Sequence, residues 1–466
     1  MSVYQANRID KKETGVKMKE FIKVIDENKD LILDAERYIW LNPESGYKEY
    51  KTNEYMIANF EKMGYKVNRV ENVTGFYTDI DTGKPGPTLL FIAELDSLIN
   101  FKHPDCDKKT GAIHNCGHHA QCATMLGVAA ALANKEVLGN LCGKIKLCCV
   151  PAEEGIEISY RQELVKKGII EFTSGKPEFI RRGIFNDVDL AFMVHTSPAK
   201  DCKFKLTAGH NGVIRKRTVV KGVAAHAGAN PHEGVNALNA ANLILLAINS
   251  LRETFQEKDY VRIHSIITKG GDSVNAVPDE VVIESYVRAA NPVMHRKINE
   301  RVNLTISACA AALGSTVEIT DMAGSEALRE DKTLSKFAVE VAEKYYGKGS
   351  IIVDDEWLAS STDMGDISSL FPSIHAYACG ADGKPHGINY KIVDPINACV
   401  DAAKFSVGLI DSLLTNGGEK AKEVVNNFTP VFKSVDEYLE HKRSINMSKE
   451  TVKFNDDGTV SLCYKN

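Results

Sequence analysis

The stretch HNCGHHAQC, residues 114–122, puts three histidines and two cysteines in nine positions. Such a cluster can bind a metal, form a disulfide or sit in the core, and the rest of the chain must discriminate. Cys116 and His118 are two residues apart, so in a loop both can face one ion, whereas on a helix the fit is less secure. Glu153 and Glu154 are neighbours in PAEEG. In an extended loop neighbours point in different directions, so one can ligate a metal while the other faces a water. His195 follows the apolar run DLAFMV, and His386 lies in the Gly-rich stretch GADGKPHG. A hydrolytic metal site needs ligands of these types, an open position for water and a general base. Each residue also has a plainer reading: a structural histidine, a solvated glutamate pair, a buried thiol. Their joint occurrence at the ends of expected strands favours the metal.

Those strands come from the apolar patterning. PTLLFIAEL stops at Asp96, KIKLCCV breaks into PAEEG, and DLAFMV breaks into HTSP. Near-continuous apolar runs read as buried parallel strands, and in open α/β sheets sites form beyond the carboxyl ends of strands. Residues 18–40 and 52–64 read as helices, and ATMLGVAAALANKE as an Ala-rich helix beginning just after the histidine cluster. From about residue 207 a β-α-β-β-α-β series follows, which reads as a separate α/β sandwich. Residues 334–347 read as a helix, and STDMGDISSLF and PSIHAYACG return to the first unit. The last 50 or so residues read as a terminal helix and a surface tail. The expected fold is α/β. A catalytic domain with a mixed, largely parallel sheet flanked by helices spans 1–206 and 323–466, and a smaller α/β sandwich, a lid, interrupts it at 207–322.

Composition narrows the function classes. The 466 residues are enough for two domains. A formal net charge of -5 and a pI near 6.3 imply no basic face for nucleic acid. No apolar run approaches the ~18 residues of a membrane span, and the charged N-terminus lacks the apolar segment of a secretory signal. Eleven cysteines, an odd number, favour reduced thiols in the cytoplasm over a disulfide framework. Most of them, such as Cys148 and Cys149, read as small core residues.

The ordered motifs resemble the M20 metallopeptidases, and within them the amidohydrolase branch of aminobenzoyl-glutamate, hippurate and auxin-conjugate hydrolases. LNPESGYKEY, FIAELDSL, HNCGHHAQ, PAEEG, HTSP, GVAAHAGANPHEGVNAL, GGDSVNAVPDEVVIE and STDMGDIS carry the resemblance over about residues 30–415. It implies two divalent ions, Zn2+ or Mn2+ with Co2+ and Ni2+ as alternatives, and a homodimer built through the lid. Carried over by position, Cys116, His118, Glu154, His195 and His386 would be metal ligands and Glu153 the general base. His226 would bind the substrate's carbonyl or carboxylate, often from the neighbouring subunit. Asp96 would orient a ligating histidine, and Asn275 and Arg288 are candidates for holding a substrate carboxylate. The chain departs from the branch at Ile92, at Glu94 where Asp is usual, and at His119 where Asp is usual. His375 competes with His386 as the last ligand.

The expected activity is hydrolysis of an amide bond in an N-acyl or aminobenzoyl amino acid or a dipeptide. The partner is a small molecule, not nucleic acid or membrane. A binding or regulatory protein on the same fold is the alternative, and the presence of Glu153 speaks against it. A thiol enzyme using Cys116 would need a reactive, exposed thiolate, and no CxxC pair is present.

Overall fold

The computed structural model describes residues 19–465. The N-terminal stretch considered as a signal, and residue 18 of the first expected helix, lie outside them. An eight-stranded mixed sheet forms the larger unit. At its centre, Thr88–Glu94 runs parallel to both Lys144–Val150 and Leu190–Ser197, and Ser373–Cys379 runs parallel to Leu190–Ser197. These are the apolar runs noted in the sequence. Thr88–Glu94 is buried along its whole length, because helices cover both faces and no position needs a polar side chain. Phe76–Asp81 and Phe204–Leu206 join antiparallel.

The helix His118–Ala133 is buried on nearly every side. It packs between Lys29–Leu41 and Ala402–Leu414. A side chain at Gly127 would meet Ile32 and Ala403 at 2.8 and 2.7 Å, so glycine sets how closely these helices approach. This helix begins inside the histidine cluster, not after it. Gly117 precedes it with φ 98°, a conformation that favours glycine, and His118 is its first residue. The expected helix over 18–40 is two helices, Glu20–Glu27 and Lys29–Leu41. They break at Asn28 (φ −98°, ψ 15°), whose side chain donates back to the Val24 carbonyl.

The smaller unit is a five-stranded antiparallel sheet ordered Arg262–Lys269, Glu280–Ala289, Gly212–Lys221, Thr316–Ala323, Met447–Glu450. Helices Ala237–Ser250 and Pro292–Ala312 cover one face, burying Val220, Ile244, Ile283, Val302 and Ile319. Its outer strand corrects the reading of the last 50 residues. They form helices Glu419–Asn427 and Val435–Ile445, then a strand on this sheet and a hairpin, Val452–Phe454 with Val460–Leu462. Residues 447–462 therefore pack with the sandwich, against Thr316–Ala323 and Pro292–Ala312, although the sequence reading assigned them to the unit 323–466. These strands are only three or four residues long and partly exposed, so they carry too little apolar patterning to read from the sequence.

Candidate metal centre

The carboxyl ends of the central strands bring Cys116, Glu153, Glu154, His195 and His386 to one cavity of about 580 Å³. Buried His118 reaches the same cluster from the first turn of its helix. Among the described residues, four sets of three side chains offer donor atoms within 4.8 Å of one another: Cys116, His118, His195 and Cys116, Glu154, His386, then His118, Glu153, Glu154 and Glu94, Glu153, Asp363. The first two share Cys116 and mix sulfur, imidazole and carboxylate. Cys116 Sγ lies 3.6 Å from His195 Nε2, and His386 Nε2 lies 3.3 Å from Glu154 Oε1. Sulfur, imidazole and carboxylate donors gathered at the cavity, from buried His118 to exposed His386, fit a pair of divalent ions.

Asp96, fully buried, ties two of these groups together. His118 Nδ1 is 2.9 Å from the Asp96 carbonyl and 3.2 Å from its Oδ1. The Glu154 backbone N–H donates to Asp96 Oδ2 at 2.9 Å. One carboxylate thus orients an imidazole and the loop that carries the glutamate pair. His386 has φ 63° and its N–H donates to the Asn115 carbonyl, so the late loop is pinned to the histidine cluster.

The electrostatics follow from crowding. Burial and the neighbouring Glu154 push the Cys116 thiol up, but His118 and His195 beside it bring it down to about 6. Burial also raises Glu154, yet the hydrogen bond and charge of His386 hold it at about 2. Glu153 is raised well above the usual carboxylate range, by burial first and then by the charges of Glu94, Glu154 and Asp363. Behind it, Lys176 Nζ bonds Glu94 Oε1 at 2.5 Å and also bonds Asp363.

The other predicted residues divide. Arg288 lines the cavity. His226 and Asn275 do not: both are exposed, joined across a short bridge in which the Ala227 N–H donates to the Asn275 carbonyl. His119 points away, its Nε2 3.2 Å from Glu36 and its ring against Trp40. His375 lies in the cavity wall with its ring centroid 5.4 Å from that of His195, outside all four three-donor sets found among the described residues. Sequence reasoning did not single out Lys176, Asp363, Arg215, His210 or Tyr377. Asp363 lay within the quoted STDMGDIS, while the others stood in no motif.

Comparison with known proteins agrees with this geometry. The profile of Peptidase family M20/M25/M40 matches residues 75–412. The chain is 28% identical to the Xaa-Arg dipeptidase of Mus musculus over 385 residues, 78% of this chain and 80% of that protein. It is 29% identical to the indole-3-acetyl-aspartic acid hydrolase of Enterobacter agglomerans over 258 residues, 53% of this chain and 54% of that protein. The Bacillus subtilis YXEP protein, a dinuclear metal binding peptidase from the M20 family, shares the fold with a TM-score of 0.62 at 20% identity, over 84% of this chain and 99% of that one. Donor sets, strand-end placement and a family match over most of its length lead to one conclusion: this protein belongs to peptidase family M20/M25/M40 and is a metal-dependent amidohydrolase or peptidase.

Proposed function

We propose that this protein hydrolyses the amide bond of an N-acyl or N-aminobenzoyl amino acid or a dipeptide, with Glu153 as general base. The observation that carries this reading is the two three-donor sets that share Cys116, together with a third in which Glu153 meets His118 and Glu154. Cys116, His118, Glu154, His195 and His386 would hold two divalent ions, Zn2+ or Mn2+, with Co2+ and Ni2+ as alternatives. Such ions supply Lewis acidity and lower the pKa of a bound water. Glu153 takes a proton from the attacking water and passes it to the leaving amine. Asp96 keeps His118 and the Glu154 loop in place. Arg288 receives the substrate's carboxylate.

His226 and Asn275 are exposed and away from the cavity of their own chain. In this reading they act on substrate from a second copy, which makes a homodimer the working form. The catalytic unit is 1–206 with 323–446, the sandwich is 207–322 joined by the strand Met447–Glu450, and the compartment is the cytoplasm.

The test is amine release from a panel of N-acyl amino acids, aminobenzoyl-glutamate and dipeptides, with and without chelator. Glu153→Gln should lower kcat by about 10²–10⁴-fold while metal content is retained. Turnover that survives this change sinks the mechanism. A protein that binds metal yet releases no amine from any substrate class would instead be the binding protein.

A further inference from the structure

Glu94, Asp363 and Glu154 in the cavity form ion pairs, but two of its arginines form none among the described residues. Lys205 pairs with Asp354 at 2.8 Å, Lys176 with Glu94 and Asp363, and His386 with Glu154. Arg161, buried nearby, donates to three backbone carbonyls, those of Ala152, Thr173 and Glu154. Arg215 and Arg288 line the cavity, and neither meets a carboxylate among the described residues. Arg288 has only the Ala359 carbonyl at 3.4 Å and the ring of Tyr286, and its Nε is buried without a partner among the described residues.

Arg215 is the more telling case. Its guanidinium reaches from the five-stranded sheet to the loop of the glutamate pair. A Cβ on Gly155, next to Glu154, would lie 2.5 Å from Arg215 Nε and 2.8 Å from its Cζ. Among the described residues its hydrogen-bond partners are the hydroxyls of Ser174 at 3.3 Å and Thr173 at 3.5 Å, both long. Burial and the nearby Arg161 lower it to about 10 although the charges of Glu153 and Asp363, neither of them bonded to it, oppose this, so it remains charged near neutrality. A half-buried guanidinium with two long hydrogen bonds among the described residues has donors left for an anion. The site is built for that anion, because a guanidinium fork pairs with a carboxylate through two parallel bonds.

Register fixes how the two arginines relate. Arg215 stands opposite Tyr286, and Arg288 opposite Val213. They are therefore diagonal neighbours on adjacent strands, about 7–8 Å apart at the backbone, on the face turned to the cavity. Two carboxylates on one small molecule can reach both at once.

We propose that Arg215 is a specificity residue that selects substrates bearing a second carboxylate, in addition to the one taken by Arg288. This rests on the hydrolase reading above. The second carboxylate comes either from an acidic side chain on the amine side or from a dicarboxylic acyl group. A cationic side chain is rejected at the same place.

The experiment compares kcat/KM within two pairs, N-acetyl-glutamate against N-acetyl-glutamine and N-succinyl-alanine against N-butyryl-alanine. It uses the wild type, Arg215→Met and Arg215→Lys. In one pair the diacid should be favoured by about 10- to 100-fold. Arg215→Met should remove that preference through KM and leave the neutral member within about threefold, with Arg215→Lys in between. The pair that shows the preference identifies the source of the carboxylate. Equal losses on both members of each pair, or a wild type that does not discriminate or prefers a lysine or arginine side chain, overturn the proposal. Binding of glutarate against butyrate, by calorimetry, gives a readout independent of turnover. Tighter glutarate binding that disappears in Arg215→Met supports the proposal even if no amide is cleaved. Equal binding of the two acids refutes it even if the enzyme is active.

Discussion

Two fully buried lysines, Lys176 in the metal cavity and Lys216 in the smaller sheet, are neutralised in different ways. Lys216 bonds Asp321 and, at 2.5 Å, the Asn303 side chain. The second oxygen of Asp321 accepts from Asn299 and Asn303 at 2.7 and 2.8 Å. One cation meets one anion, and two amides from the helix Pro292–Ala312 complete the set. Lys176 meets two carboxylates, and a third, Glu153, lies in the same cluster without a lysine of its own. The first network is balanced and ties a helix to a sheet. The second leaves an excess of negative charge, and that excess is directed at the position of the proposed base. Burial raises Asp363, and although Lys176 opposes this, the charge of Glu94 leaves it at about 6.

Removing each lysine separates these roles. Lys176→Met strips the ammonium from a set of buried acids. It should cost about 3–5 kcal/mol of stability and lower kcat of the folded fraction by about 10²-fold through misplacement of Glu153. Urea denaturation with single-turnover kinetics reads both. Lys216→Met should cost a similar 3–5 kcal/mol or so but leave kcat and KM per folded molecule unchanged. If both variants lose activity alike, the distinction between the two networks fails.

A smaller effect follows from two other carboxylates that show the same contrast. Glu326 is raised by burial, but His441 and then Lys442 bring it down to about 2. Glu330, under the cavity wall, has one oxygen without a partner among the described residues and is raised by burial to about 8. The signs differ. A depressed group stabilises above its unfolded value of 4.5 and loses that contribution as pH falls toward 2. A raised group stabilises fully below 4.5 and loses that contribution as pH rises toward 8. Glu330→Gln should therefore gain on the wild type as pH rises from 4.5 to 8, and Glu326→Gln should fall behind above 4.5. Urea midpoints measured from pH 2 to 8 check both, with the Glu326→Gln difference opening between 2 and 4.5 and the Glu330→Gln difference between 4.5 and 8, and curves parallel to the wild type over the whole range would remove the contrast.

The donor groups were legible because they stand at the ends of apolar runs, where strand and loop meet. Asp96, Glu153–Glu154 and His195 needed only pattern and residue type. The start of the helix at His118 was not legible, since Gly117 and two histidines do not resemble a capped terminus. Lys176, Glu94 and Asp363 are joined across 82 and 187 positions, and no local periodicity reports a contact of that span. Arg215 alternates with its neighbours as any half-exposed strand does, so its lack of a carboxylate is visible only in three dimensions. His226 and Asn275 show the reverse: their motifs were conspicuous, but the fold leaves them on the surface.

The strand Met447–Glu450 closes the smaller sheet from a point in the chain beyond every strand of the larger one. The larger sheet in turn waits for Ser373–Cys379, which lies beyond the sandwich's first four strands. During synthesis neither sheet can therefore be completed before the other has begun. Until the helix Val435–Ile445 has emerged, Gly324 and Asp366 lack the Lys442 ammonium that joins them. The edge of Thr316–Ala323 stays open until the residues after it are made. An exposed sheet edge invites pairing with other chains, so the nascent protein carries this hazard until Met447–Glu450 has been made.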